Sequence, residues 1–363
     1  MLLPFASGTA QPAPHHSAGC VALGGGTGLP VVLRGLVHAR AQTTKIGDLT
    51  AIVAVTDDGG SSGQLRDALG VLPPGDIRNC LSALTPLGSP LGDVLHERMR
   101  CEGVEGEHPI GNLLLTALTR VQGDLLGAIR SLSAIMGTAG RVLPATLADV
   151  RLRGDFSDGA EVVGETAIAA RRARIDRVRL TARAAALPEC LDAIGRANLI
   201  VAGPGSLYTS VIPTLLVDKM RIAVERATAT RVYVANLMTQ PGETDDFSLA
   251  DHLAALRYHA GGDLFDYVLV NRRPISPATL AAYARQGSRP VVHDGRRPWS
   301  FRTRIVTADI AVTTPSGILR HNPVALGYAL AALARPRAGG AVPTPHAPST
   351  ETLRLATRML AAF

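Results

Sequence analysis

Short, unbroken apolar runs, each followed by a glycine-rich or polar loop and then a helical stretch, constrain this chain more than any other feature. They are Val21-Ala22-Leu23, Leu49 to Val55, Leu199 to Ala202, Arg231 to Ala235 and Tyr267 to Val270. Successive side chains of a strand point to opposite faces, so a run that is apolar throughout is buried on both. Helical segments are predicted over Leu29 to Ala39, Asp76 to Thr85, Gly111 to Val121, Leu187 to Ala197 and Asp251 to His259, with Asp76 and Asn112 as caps. Doubly covered strands alternating with helices make a mostly parallel sheet between two helical layers. One stretch breaks the pattern: Val150-Arg151-Leu152-Arg153 alternates, Asp158-Gly159 is a turn pair, and Val162 to Thr166 follows. It reads as an inserted β-hairpin. Between Gly88 and Pro109 the expectation is a helix and a flexible loop.

The fold class expected is therefore α/β, a Rossmann-like three-layer fold with an inserted hairpin. Residues 1–18 are rich in Pro, Ala, Ser and His and read as a disordered leader. The α/β domain is expected over 19–334, and 335–363 as a linker ending in a short helix over Thr350 to Phe363. Cys20, Cys80, Cys101 and Cys190 form no CxxC pair, which argues against a disulfide framework or a zinc site and for a reducing, cytoplasmic setting. No run approaches the ~20 apolar residues of a membrane span. The net charge of +7 is almost all arginine, Lys45 and Lys219 being the only lysines. That excess suits an anionic small ligand, and nucleic acid is not the expected partner.

In an open parallel sheet, ligands lie beyond the carboxyl ends of the strands. Four predicted strands end in loops suited to that place. The first ends in Gly24-Gly25-Gly26-Thr27-Gly28, whose spacing is neither G-x-G-x-x-G nor a Walker loop, and whose amides at a helix start suit a phosphate. The second ends in Thr56-Asp57-Asp58, with Gly59 to Gly63 as a second anion nest. With Asp76, these carboxylates suit Mg²⁺ or a general base. The third supplies Gly203-Pro204-Gly205-Ser206 and Thr209, and the fourth Asn236 and the Gly242-Glu243-Thr244 stretch, which could read a base or sugar edge. Arg320, in Arg320-His321-Asn322, could clamp a phosphate. Leu29, Ser61, Asn79 and Asn112 complete the expected binding set. Each feature also has a plain structural reading, as turn, cap or solvated arginine.

Taken in order, VALGGGTGLPVVLRGL, AIVAVTDDGGSSGQLR, LPPGDIRNCLSAL, IGNLLLTAL, LIVAGPGSLYTSVIPTLLV, VYVANLMTQPGETDDFSLADHL and LRHNP closely resemble the gluconeogenesis factor (YvcK) family, part of the CofD-like, or 2-phospho-L-lactate transferase, superfamily. The resemblance spans Gly19 to Ala334. It implies a UDP-sugar ligand, UDP-N-acetylglucosamine or UDP-glucose, and a role in cell shape, cell-wall synthesis and growth on gluconeogenic carbon. It also implies that Gly25 to Gly28 contact the diphosphate, that Gly203 to Ser206 and Asn236 hold the same ligand, and that Arg320 meets its phosphates or sugar. From the transferase branch it implies a metal held by Asp58 and Asp76. TDDGGSSG resembles the gluconeogenesis factor branch, and Asn322 stands where that family's last motif usually has Asp.

Two functions follow as expectations. One is a non-catalytic regulator that binds a UDP-sugar, with a homodimer possible and its protein partners unnamed by the sequence. The other is a Mg²⁺-dependent transferase of a phosphate-linked group from a nucleotide donor, with Asp58 and Asp76 as its catalytic carboxylates.

Overall fold

The computed structural model describes residues 19–335 apart from 102–103, 294 and 296–301. The expected leader, the linker, the helix over Thr350 to Phe363 and Trp299 lie outside these residues. Seven parallel strands form the central sheet: β1 (Gly19–Gly24), β2 (Leu49–Val53), β5 (Gly140–Pro144), β9 (Ala197–Ala202), β10 (Thr230–Val234), β11 (Tyr267–Asn271) and β12 (Arg304–Ala308). Their order is β12-β11-β10-β9-β1-β2-β5.

The alternation of side chains sorts the core into two layers. Ala22, Ala51, Val53, Val201 and Val234 face one layer, where they pack on α1 (Gly28–Gln42), α3 (Gly75–Leu84), α5 (Ile110–Gln122), α6 (Leu125–Met136) and α13 (Pro323–Leu333). Val21, Leu23, Ile52, Ile200, Ala202 and Tyr233 face the other, against α8 (Pro188–Gly195), α9 (Ile212–Leu216), α10 (Met220–Arg226) and α11 (Leu249–Ala260). Both faces of the central strands are thus dry, which is why their sequences are apolar throughout. In the first layer α1 and α13 touch through glycine. A Cβ on Gly35 would lie 2.2 Å from the Pro323 carbonyl oxygen, and one on Gly327 would lie 2.0 Å from that of Gly35.

Smaller elements surround the loop edge. They are α2 (Gly60–Leu69), α4 (Pro90–Val94), β3 (Arg98–Cys101), β4 (Val104–Pro109), β6 (Leu152–Phe156), β7 (Glu161–Val163), α7 (Glu165–Ala170), β8 (Ile175–Leu180), α12 (Pro277–Ala284), β13 (Ala311–Thr313) and β14 (Leu319–His321). The inserted hairpin is present as β6 and β7. It starts at Leu152 rather than Val150, β8 extends it to a three-stranded antiparallel sheet, and Glu165-Thr166 belong to α7. The stretch expected to hold a flexible loop pairs instead as the antiparallel ribbon β3/β4. Neither predicted cap is one: Pro74 precedes α3, with Asp76 inside its first turn, and Asn112 is buried inside α5. The side-chain caps are elsewhere. Asp124 accepts from Leu126 N and Gly127 N, Ser248 forms a capping box with Asp251, and Asn322 accepts from Ala325 N. Among the described residues no helix is long and apolar enough to cross a membrane. Cys20, Cys80 and Cys190 are buried free thiols.

Candidate functional site

The chain reverses its direction across the sheet between β1 and β9, since β2 and β5 build to one side and β10 to β12 to the other. Such a reversal opens a crevice at the carboxyl ends of the two strands. The Gly24–Gly28 loop and the Gly203–Ser206 loop meet there. Gly203 N donates to Leu23 O at 3.1 Å, and Ala54 N donates to Gly24 O at 2.9 Å. A Cβ on Gly28 would lie 2.1 Å from the Pro204 carbonyl oxygen, so only glycine lets the loops approach this closely. Gly26 takes the left-handed φ of 61° that turns the chain into α1. Thr27, at the N-cap, is exposed and makes no capping bond, so its hydroxyl and the first amides of α1 face outward without a side-chain acceptor.

A cavity of about 270 Å³ opens at this junction. Gly26, Thr27 and Gly28 line one side, and Pro204, Gly205 and Ser206 the next. Asn236 and Gln240, from the loop after β10, and Arg320 and His321, from β14, complete the polar lining, with Tyr283 of α12 beside them. Arg320 is exposed and makes no ion pair among the described residues. His321 is buried and its Nε2–H donates to Ala235 O at 3.2 Å; burial lowers its pKa to about 4, so it is neutral. Asn322, next in the chain, is spent on capping α13. An Asp there would make the same bond, so this position is a cap in the fold.

The wall from β9 and β10 is held by a continuous polar network. Gly205 N donates to Asn236 Oδ1 (3.4 Å), Asn236 Nδ2 to Gln240 Oε1 (3.2 Å), and Gln240 Nε2 to Ser206 Oγ (2.7 Å). Behind it, Thr209 Oγ1 donates to the Glu243 carboxylate at 3.3 Å, and the Ser206 hydroxyl also bonds to Glu243. Glu243 is 8% exposed, and burial pushes its pKa up to about 7 against the opposing pull of these hydroxyls.

Carboxylates gather on the other side of the glycine loop. Asp76 Oδ2 accepts from Gly26 N at 2.6 Å and so pins the loop from α3. Burial, then the charge of Asp57, pushes Asp76 up to about 6. Burial also raises Asp57, whose Oδ1 accepts from Gly59 N at 2.9 Å. Glu165 opens α7; burial, then Asp57, Asp76, Glu243 and Asp58, hold its carboxyl well above the usual range. Asp58 is committed elsewhere: its oxygens accept from Glu165 N (3.0 Å) and Thr166 N (2.9 Å), fastening α7 to the sheet. Of the two neighbouring aspartates, Asp57 is the one whose charge acts on Asp76, while Asp58, expected from the sequence to pair with Asp76, is bonded to α7. Among the described residues no group of three or more His, Cys, Asp or Glu side chains is set to hold a metal ion. The Asp57 carboxylate also accepts from the Ser62 hydroxyl, while Asp76 Oδ1 is the oxygen left by the Gly26 bond; Mg²⁺ commonly uses one or two carboxylates together with ligand phosphates.

The remaining predicted residues are supports. Gly24, Gly25 and Leu29 lie buried behind the loop, where a Cβ on Gly25 would meet Asp76 Oδ2 at 2.5 Å. Ser61 Oγ meets His108 Nδ1 at 2.8 Å and accepts from Asn112 Nδ2 at 3.0 Å. Asn79 Oδ1 accepts from Arg78 at 2.7 Å. Thr56 is buried, its hydroxyl without a hydrogen-bond partner among the described residues. None of these lines the cavity. Three residues outside the expected set stand at or beside the site: Gln240 and Tyr283 in the cavity lining, and Glu165 among the carboxylates. Gln240 lies within a loop already marked by its position after β10, whereas nothing in the sequence around Tyr283 or Glu165 signals the site.

The family model described as 2-phospho-L-lactate transferase CofD matches residues 20–311. The gluconeogenesis factor of Bacillus subtilis is 43% identical over 300 residues, covering 82% of this chain and 92% of that protein. The gluconeogenesis factor of Halalkalibacterium halodurans is 42% identical, covering 83% and 92%. A crystal structure of a UPF0052 family protein from Bacillus halodurans superposes with a TM-score of 0.80 at 40% identity, covering 86% of this chain and 99% of that one. This chain therefore belongs to the CofD family, among its gluconeogenesis factors.

Proposed function

We propose that the crevice between β1 and β9 binds a UDP-sugar, UDP-N-acetylglucosamine or UDP-glucose, and that the protein is a regulator that binds this ligand without consuming it, acting on cell shape, cell-wall synthesis and carbon metabolism. The observation that carries this reading is the junction of two glycine loops with Arg320 across a single cavity. A diphosphate carries charge that the amides at the start of α1 favour. The guanidinium of Arg320 adds a fork suited to phosphate oxygens. Asn236, Gln240 and Ser206 offer the neutral donors and acceptors that a sugar or base edge requires. Calorimetry with UDP-N-acetylglucosamine at near-physiological Mg²⁺ tests it. Arg320→Ala should weaken binding about 10-fold or more, and Thr27→Ala by several-fold. No binding to the native protein, or affinity unchanged in both variants, removes this reading.

A second reading draws on one observation, the raised pair Asp57 and Asp76 beside the glycine loop. It is a Mg²⁺-dependent transferase of a phosphate-linked group. These two residues would hold the metal, which would neutralise phosphate charge. Asp76 would also hold the glycine loop in place by accepting from Gly26 N. Turnover of a UDP- or GDP-linked donor in the presence of Mg²⁺ and an acceptor alcohol, lost in Asp57→Asn, would establish it. Unchanged donor across acceptor candidates would leave the binding reading alone.

A further inference from the structure

At the opposite edge of the sheet, where the strands begin, a second cavity of about 510 Å³ opens. It lies between Thr230, Tyr267 and Arg304, the first residues of β10, β11 and β12, and the end of α13. Its rim carries Lys45, Arg302, Arg304 and Arg335. The one acid in the lining is Asp266, and Arg231 already holds it with two bonds, Nε to Oδ2 at 3.1 Å and the terminal nitrogen to Oδ1 at 2.6 Å. Arg335 lies near enough to help lower the Asp266 carboxyl, yet none of the four rim cations forms an ion pair with a described residue. Elsewhere arginines find acids: Arg179 meets Asp155, Arg221 meets Glu225, and Arg272 meets Asp309.

Four like charges around one hollow repel, and the backbone holds them there. Arg302 N donates to Asp263 Oδ2 at 2.9 Å, and Arg304 N to Asp266 O at 2.8 Å. Asn198 Nδ2 bridges the carbonyl oxygens of Lys45 (2.9 Å) and Arg335 (3.4 Å), tying two of the cation-bearing segments together. The chain segments that carry the cations are thus fixed around the hollow, although the side chains of Arg302, Arg304 and Arg335 are exposed.

We propose that this hollow is a second ligand site, separate from the crevice, for a small compound bearing two or more phosphate groups. Its volume falls within the range of small-molecule sites, about 300–1,000 Å³. Three guanidinium forks and one ammonium match closely spaced phosphate oxygens. The cations ring a concavity rather than track along a ridge, which favours a compact anion over a nucleic-acid strand. The proposal does not depend on what fills the crevice.

Inorganic pyrophosphate and tripolyphosphate are the probes, titrated calorimetrically at about 150 mM salt, where long-range attraction is screened. Pyrophosphate could also enter the crevice, so three proteins are compared: native, Arg302→Gln/Arg304→Gln, and Arg320→Ala. The expected result is a binding event weakened at least about tenfold in the double variant and retained in Arg320→Ala. Arg302 and Arg304 are exposed, and circular dichroism checks that the variant is folded. Affinity unchanged in the double variant overturns the proposal. So does binding of duplex DNA of arbitrary sequence through these arginines that saturating pyrophosphate fails to displace.

Discussion

Replacing Glu243 with glutamine isolates the electrostatic cost of the wall behind Ser206. Glu243 is 8% exposed, and burial raises its pKa from 4.5 to about 7 in the folded protein. A raised folded pKa means that the native state holds the proton more tightly than the unfolded chain. The stabilising contribution is then complete below about 4.5 and is lost as the pH rises through about 7. At about 1.4 kcal/mol per pH unit, the loss across this window is on the order of 3 kcal/mol. Glu243→Gln keeps an acceptor for the Thr209 hydroxyl and carries no ionisable proton. Urea denaturation of both proteins at half-unit steps from pH 4 to pH 8 gives a difference curve in which the other carboxylates largely cancel. The native protein should lose more stability than the variant as pH rises, with the gap growing between about 4.5 and about 7 and flat above. Parallel curves would mean that Glu243 ionises freely in the fold, and the account of the wall given above would be refuted.

Gly28→Ala should destabilise by about 1–3 kcal/mol or more and abolish UDP-sugar binding, because its Cβ would sit 2.1 Å from the Pro204 carbonyl oxygen; thermal unfolding and calorimetry together check this. Asp58→Ala should cost about 0.5–2 kcal/mol by releasing the Glu165 and Thr166 amides, while Asp58→Asn restores part of that loss; urea midpoints decide, and native-like stability in the alanine variant contradicts the fastening role. Asp124→Ala, a helix cap on α6, should cost about 1 kcal/mol and leave ligand affinity unchanged, which makes it the control for stability effects on binding.

The parts of the fold visible in the sequence are those that burial makes uniform. The inner strands β1, β2, β9 and β10, together with β11, are apolar because both their faces are covered, and the loops at their carboxyl ends follow directly. β12 has two of its five residues exposed and none fully buried, and β3 and β4 read Arg-Met-Arg-Cys and Val-Glu-Gly-Glu-His-Pro, so their pairing left no apolar signature. Spacing could bring Thr56, Asp57, Asp58 and Asp76 to the loop edge, but it could not orient neighbours. Adjacent residues at a strand end point apart, so Asp57 acts on Asp76 while Asp58 turns to α7. Glu165 was invisible because α7 reaches the site from the inserted sheet, more than a hundred residues after Asp58 in the chain. Glu243 was expected at a base or sugar edge, whereas it stands behind the wall, fixing Thr209 and Ser206.

The glycine contact between α1 and α13 links two sides of the cavity mechanically. Helix α1 begins at Gly28, directly after Thr27, and α13 begins two residues after His321. With Gly35 and Gly327 in backbone contact there is no side-chain cushion along which the two helices could slide. The glycine loop at the start of α1 and the start of α13 therefore keep a fixed spacing, and His321, bonded to Ala235 O, carries that brace across to the β10 side. The opposing Asn236 to Glu243 loop is tied down as well, through the backbone by Thr239 N to Arg289 O (2.7 Å) and through side chains by Gln240 to Ser206, so the cavity is braced on both sides before a ligand enters.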